Sequence, residues 1–254
     1  MKKFRGVFLK NEREIGLLRE ANRIVSEILD RLGAAVQPGV QTLEFERIVD
    51  SICTHYDVQP AFKGYHGFPH SLCCSVNEEI VHGFPSQREL VQGDIVSFDV
   101  GVVYKGFYGD SARTFAVGEI SSDIQVLLDT TREALHQGIA HALMGNELTD
   151  IARAVQTHIE QQGLSVVKRF VGHGVGSQLH EKPEVPNFVT NRMARLPLKS
   201  GMVLAIEPMV TMGTDEVEIL EDKWTAVPKD RSLSAHFEHT IAITKDGPEI
   251  LSVS

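Results

Sequence analysis

Asp99 and Asp110 stand where a carboxylate is hard to accommodate. Asp99 interrupts the run Ile95, Val96, Phe98 and Val100, apolar and partly β-branched, between Gly93 and Gly101. That pattern predicts a strand. A charge inside it costs several kcal/mol unless something compensates it. Gly101 to Gly109 reads as a hairpin or looped turn, which returns Asp110 at the head of a second strand, Arg113 to Val117. Adjacent antiparallel strands then set two acids side by side, and without a cation they repel. Taken alone, the stretch fits one ion-paired and one turn-capping aspartate equally well.

The signature recurs further along. Gly93 to Asp99 aligns with Gly201 to Glu207, each a glycine, an apolar stretch and an acid six residues on. The segment opening at Asp110 aligns with the one opening at Glu238. Between these acids lies Gly172-His173-Gly174-Val175-Gly176, whose glycines leave His173 accessible. A phosphate loop does not fit, because no Lys-Ser or Lys-Thr follows. A lone histidine is usually a hydrogen-bonded structural imidazole. Beside four acids it becomes a metal ligand. Asp99, Asp110, His173, Glu207 and Glu238 suit two divalent cations bridged by carboxylates, which can hold a hydroxide between them. An oxygen-rich set with one nitrogen suits Mn, Fe(II) or Co, with Zn also compatible. The chemistry implied is hydrolysis.

Four helices must position these groups. Asn11 to Leu32 carries apolar residues near helical spacing, with Gly33 as its stop. Thr42 caps a second helix along Leu43, Phe45, Ile48, Val49 and Ile52. Ser121 or Ser122 caps a third, and Thr149 opens a fourth that Gly163 ends. Strand character fills Pro60 to Val117 and resumes from Leu164. The order helix, helix, strands therefore occurs twice. It predicts an α/β (α+β) chain, a single catalytic domain over 1–254 with pseudo-repeat halves of about 1–118 and 119–254.

Composition narrows the class. A net charge of −9 argues against nucleic acid or an anionic membrane as main partner. No apolar run reaches a membrane span, and the N-terminus lacks a signal-peptide core. Cys53, Cys73 and Cys74 include no Cys-x-x-Cys and fit reduced thiols in the cytoplasm.

The four acids and the histidine in order, with Gly67-Phe68-Pro69, Asn77-Glu78 leading to His82-Gly83, and Gly172 to Gly176, resemble the type I methionine aminopeptidases over nearly the whole chain. The resemblance implies a pita-bread fold, two pseudo-symmetric halves closing on a central antiparallel sheet around two metal ions. It implies removal of the initiator methionine from nascent chains and peptides whose second residue is small, through attack of a metal-bridging hydroxide on the scissile carbonyl. Met1 itself is then retained, because Lys2 is bulky. By position, Asp99 holds one ion through both oxygens, Asp110 and Glu238 bridge, and His173 and Glu207 complete the other. Glu207 accepts the proton, His82 contacts the scissile nitrogen, and His180 bonds the carbonyl oxygen. Tyr65, His66, Cys73 and Trp224 match the methionine pocket, whereas Phe62 and Leu179 depart from the family pattern. A monovalent cation near Asn77 and Ser234, transient association with the ribosome and a monomeric state follow from the same resemblance. Proline-directed peptidases of the same fold are the nearest competitor, and a binding protein that lost catalysis is the competitor from another class.

Overall fold

A computed structural model of the protein describes residues 2–190, 193 and 195–253, so Met1 lies outside the described residues. A short hairpin of β1 (Lys2–Phe4) and β2 (Val7–Leu9) leads into helices α1 (Glu12–Ala35) and α2 (Leu43–Tyr56). Strands β3 (Gln59–Pro60), β4 (Cys73–Val76), β5 (Ile95–Tyr104) and β6 (Phe107–Ala116) follow. Then come α3 (Ser122–His141), α4 (Leu148–Gln161), β7 (Ser165–Val166), β8 (Gly172–Gly174) and β9 (Glu181–Val185). The chain ends with β10 (Val203–Ile206), β11 (Met209–Thr211), β12 (Val217–Ile219), β13 (Ala226–Pro228), β14 (Ser234–His236), β15 (His239–Ile243) and β16 (Pro248–Ile250). Every pairing between these strands is antiparallel.

The helices begin as their caps dictate, with instructive exceptions. Asn11 and Glu14 form a reciprocal capping box at α1. Gly33 does not stop that helix, which runs on to Ala35. Its missing side chain instead admits Phe115, whose Cε1 would lie 2.3 Å from a Cβ there. Thr42 makes no side-chain cap bond to α2. Its hydroxyl donates to the Ser86 carbonyl and accepts from the Ser86 amide, pinning a distant loop. Ser121 caps α3 by accepting from the Ile124 amide. At α4 a capping box of Glu147 and Asp150 starts the helix one residue before Thr149.

The strand that returns Asp110 begins earlier than its pattern suggests. Lys105 and Gly106, with φ of 48° and 81°, make a two-residue turn of the hairpin-favouring type. Asp110 therefore sits inside β6. Asp99 pairs with Ala112 and Asp110 with Gly101, so the two acids are diagonal neighbours. Alternation then sorts the faces of β5. Val96, Phe98 and Val100 pack with Ile24, Ile28, Leu29 and Phe45 under α1 and α2, leaving Ser97 and Asp99 on the opposite face. A second core sets Leu127, Leu135, Ile151 and Val155 against Leu204, Ile206 and Ile241.

Hydroxyl groups stitch the two strand sets together where β6 meets β14 and β15. The Glu238 amide donates to the Ala112 carbonyl at 2.8 Å. Thr240 Oγ1 donates to the Asp110 carbonyl at 2.7 Å, and Ser111 Oγ to the Glu238 carbonyl at 2.6 Å. Thr114 Oγ1 donates to the His236 carbonyl at 2.8 Å while accepting from the His236 amide and the Ser97 hydroxyl. No described helix is long and apolar enough to cross a membrane.

The seam makes a direct prediction. Thr114→Val keeps the shape but strands three buried partners, so urea denaturation should show a loss on the order of 1–3 kcal/mol. An unchanged midpoint would mean that the hydroxyl bonds do not hold the two strand sets together.

Candidate metal centre and substrate pocket

Five strands, or the residues flanking them, each bring one ionisable group to the same place. Asp99 and Asp110 come from β5 and β6, and His173 from β8, where it pairs with Ala205. Glu207 follows the last residue of β10 and Glu238 precedes the first of β15, and those two terminal residues pair directly. His173 Nε2 lies 3.6 Å from Asp110 Oδ2 and 3.5 Å from Glu207 Oε1. Its other nitrogen, Nδ1, lies 3.0 Å from the Gly174 carbonyl and donates to it. That bond fixes the tautomer and turns the Nε2 lone pair toward the acids. Asp110, His173 and Glu238 offer ligand atoms that all lie within 4.8 Å of one another. Glu207 adjoins this group through His173, and Asp99 lines the same cavity.

The electrostatics call for a cation. Buried Asp99 Oδ1, Asp110 Oδ1 and Glu238 Oε1 have no hydrogen-bond partner. Burial pushes the Asp99 carboxyl up to about 7. Burial, and then the neighbouring acids, drive Asp110, Glu207 and Glu238 well above the usual carboxylate range. Orphaned hard oxygens facing one another, with one properly oriented imidazole, fit divalent cations. Asp99, Asp110, His173, Glu207 and Glu238 are the residues that would hold them.

A cavity of about 400 Å³ extends from these acids. His82, His180, Tyr65, His66, Cys73 and Trp224 all line it, as do Phe62 and Leu179. One end is apolar: Phe62, Phe68, Cys73 and Leu179 pack together, and Phe68 meets the Trp224 ring edge-on at 5.1 Å. His180 stands between this end and the acids, 4.2 Å from the His173 ring, and its Nδ1 lies 2.8 Å from the Tyr65 hydroxyl. His82 packs edge-on against Phe170 at 5.4 Å and Trp224 at 6.3 Å. Burial and the neighbouring His180 lower its imidazole to about 4. His82 is thus neutral at physiological pH. Asn77 and Ser234 lie together outside this cavity, the Ser234 amide donating to the Asn77 carbonyl at 3.0 Å.

Sequence reasoning missed several lining residues. Phe170, Val171 and Met209 join the wall from short segments too brief to show a period. His236 was missed too. It is fully buried, and its unpartnered Nε2 lies 3.7 Å from Glu207 Oε2. Its place two residues before Glu238 was the one readable signal, since alternate residues of an extended chain share a face.

Buried acids sharing one imidazole, at the floor of an apolar peptide-sized cavity, define a metal-dependent hydrolase. The chain belongs to metallopeptidase family M24, whose description matches residues 16–245. Its relatives within that family include methionine aminopeptidases. It is 51% identical over 248 residues to the methionine aminopeptidase of Clostridium perfringens, covering 97% of this chain and 99% of that protein. The crystal structure of methionine aminopeptidase from Thermotoga maritima matches with a TM-score of 0.95 at 43% identity, covering 98% of this chain and 100% of that one. The antiparallel α/β architecture is accordingly the pita-bread fold of this family. Prolidase from Pyrococcus furiosus shares the fold alone, at 22% identity and a TM-score of 0.79, with 65% of its chain covered.

The raised carboxyls give a pH signature. They bind protons more tightly in the folded state than unfolded, where they titrate near about 4. Stability of chelator-treated protein therefore falls as pH rises from that range through about 7, the value for Asp99. Calorimetry should find it melting lower at about pH 8 than at about pH 5.5, with added Mn closing the gap. A metal-free protein equally stable at both would contradict the mutual strain of these acids.

Proposed function

We propose that the chain acts as one catalytic unit, with pseudo-symmetric halves of about 1–118 and 119–254, that removes the N-terminal methionine from peptides and nascent chains with a small second residue. The observation that carries this reading is the cavity itself, acids and His173 at one end, aromatics and Cys73 at the other, His82 and His180 on its wall. Two divalent ions held by Asp99, Asp110, His173, Glu207 and Glu238 supply Lewis acidity and lower the pKa of water. Co, Mn, Fe(II) and Zn all suit this donor set.

The chain's own groups do the rest. The Tyr65 hydroxyl lies 2.8 Å from His180 Nδ1, and in the tautomer to which it donates, Nε2–H is a donor into the cavity. Burial also holds the His180 pKa below its ordinary value, so the ring stays neutral. It is placed to bond the scissile carbonyl oxygen as negative charge develops there. Neutral His82 contacts the scissile nitrogen, and Glu207 accepts a proton from the attacking water. Tyr65, His66, Cys73 and Trp224 surround the methionine side chain, where a thioether gains from aromatic edges. Phe62 and Leu179 narrow that end and set its depth. A monovalent cation near Asn77 and Ser234 belongs to the same reading.

The free, buried cysteines favour a reducing cytoplasm, where nascent chains at the ribosome are the substrate and the enzyme works as a monomer. Identity of 51% to a methionine aminopeptidase, against 22% to a prolidase, favours methionine over proline-directed cleavage.

Mn- or Co-loaded protein should cleave Met-Ala-Ser and leave Xaa-Pro peptides intact. His82→Ala should lower kcat by about 10²–10⁴-fold with metal content unchanged. Cleavage of Xaa-Pro instead, or no turnover with any of the four metals, would overturn the reading.

A further inference from the structure

Outside the metal centre, the most deeply buried ion pair among the described residues is Lys10 with Glu181. Their side chains are 0% and 2% exposed, and Lys10 Nζ lies 2.7 Å from Glu181 Oε2. Burial pulls the Lys10 pKa down, opposed by its bond to Glu181. Two charges taken so far from water rarely gain stability over a well-packed apolar pair. Their placement is more telling. Glu181 directly follows His180, and its other oxygen, Oε1, accepts from the Gln178 amide at 3.3 Å and the Ser177 hydroxyl at 3.4 Å. The carboxylate thus closes the turn from Ser177 to Glu181 on itself.

The surroundings are built around this pair. A Cβ on Gly176 would lie 2.3 Å from Glu181 Oε1 and 2.6 Å from Lys10 Cε, so only glycine lets the pair tuck beneath the turn. Lys10 is fixed at its other end, its amide donating to the Gly201 carbonyl at 2.7 Å. Gly176 is held too, its carbonyl accepting from the Tyr108 amide at 2.9 Å. His180, by contrast, sits on an exposed position, its ring bonded to the Tyr65 hydroxyl. Its aim therefore depends on the backbone that carries it as well as on Tyr65.

We propose that Lys10 and Glu181 are positioning residues for His180, a buried ion pair that locks the turn and so directs the imidazole at the substrate carbonyl. The inference rests on the role given to His180 above. Lys10 reaches the site from the segment between β2 and α1, more than 150 residues before the turn it braces. The hydrogen bonds of the two side chains go to each other, to the Phe8 carbonyl and to Ser177 and Gln178, not to a metal ligand or to the apolar end of the cavity. Its loss should therefore act on the rate of the bound substrate and spare its binding.

The test is the double variant Lys10→Met/Glu181→Leu, which removes both charges without leaving one unpaired. With metal content unchanged, kcat on Met-Ala-Ser should fall about 10- to 100-fold, while KM stays within about threefold. Independently of turnover, the ¹⁵N shifts of His180 should move from a single tautomer toward an averaged one. Glu181→Gln, isosteric and still an acceptor for the Gln178 amide, is the second variant and should show the same split to a smaller degree. Wild-type kcat with an unaltered His180 signature in either folded variant overturns the proposal, and so does failure of both to fold, which would make the pair a support of the fold. If wild-type protein cleaves no methionyl peptide, the functional reading fails, whereas the His180 signature still decides the positioning claim.

Discussion

Carboxylates that face one another away from water govern this molecule. Asp99, Asp110, Glu207 and Glu238 each raise the cost of ionising another, and several of their oxygens find no donor within the protein. Such an arrangement is unfavourable in isolation. It persists because the backbone around it is over-determined. The diagonal register of β5 and β6 fixes two of the acids, and the pairing of β10 with β15 fixes the others. His173 completes the set with its free nitrogen already turned inward.

The rest of the fold keeps that strained centre from relaxing. Each pair of helices covers one side of its strands, so alternation drives the polar positions toward the middle. There the two strand sets meet without a continuous ladder, and hydroxyls of Ser111, Thr114 and Thr240 supply the missing bonds. Small polar residues in the middle of a strand thus serve the seam. The cavity opens beside it, and its aromatic end keeps water from competing with the few polar groups that matter.

Much of this was legible in the chain. A glycine, an apolar run and an acid six residues on, found twice, revealed both the strands and the duplicated order of helices. The candidate acidic ligands were visible because a charge inside an apolar run has few explanations. Other features lacked such a signal. Gly109, Asp110 and Ser111 broke the apolar pattern of β6, so its start at Phe107 was hidden although Lys105-Gly106 marked the turn. Gly33 looked like a helix stop because the close approach of Phe115 is a tertiary fact. Thr42 looked like a cap, but its hydroxyl is committed to Ser86. Lys10 and Glu181 carry no local signal of their pairing, since nothing in the neighbouring sequence tells a lysine that it will be covered.

These strands bring together a set of acids that only bound cations can reconcile, and the peptide site is arranged around that need. Crystals grown from anaerobically purified protein, measured at the absorption edge of the bound metal, test this most directly. The account predicts anomalous peaks for a pair of ions enclosed by Asp99, Asp110, His173, Glu207 and Glu238. Protonated carboxyls hydrogen-bonded to one another with no ion between them, or metal bound elsewhere, would contradict it.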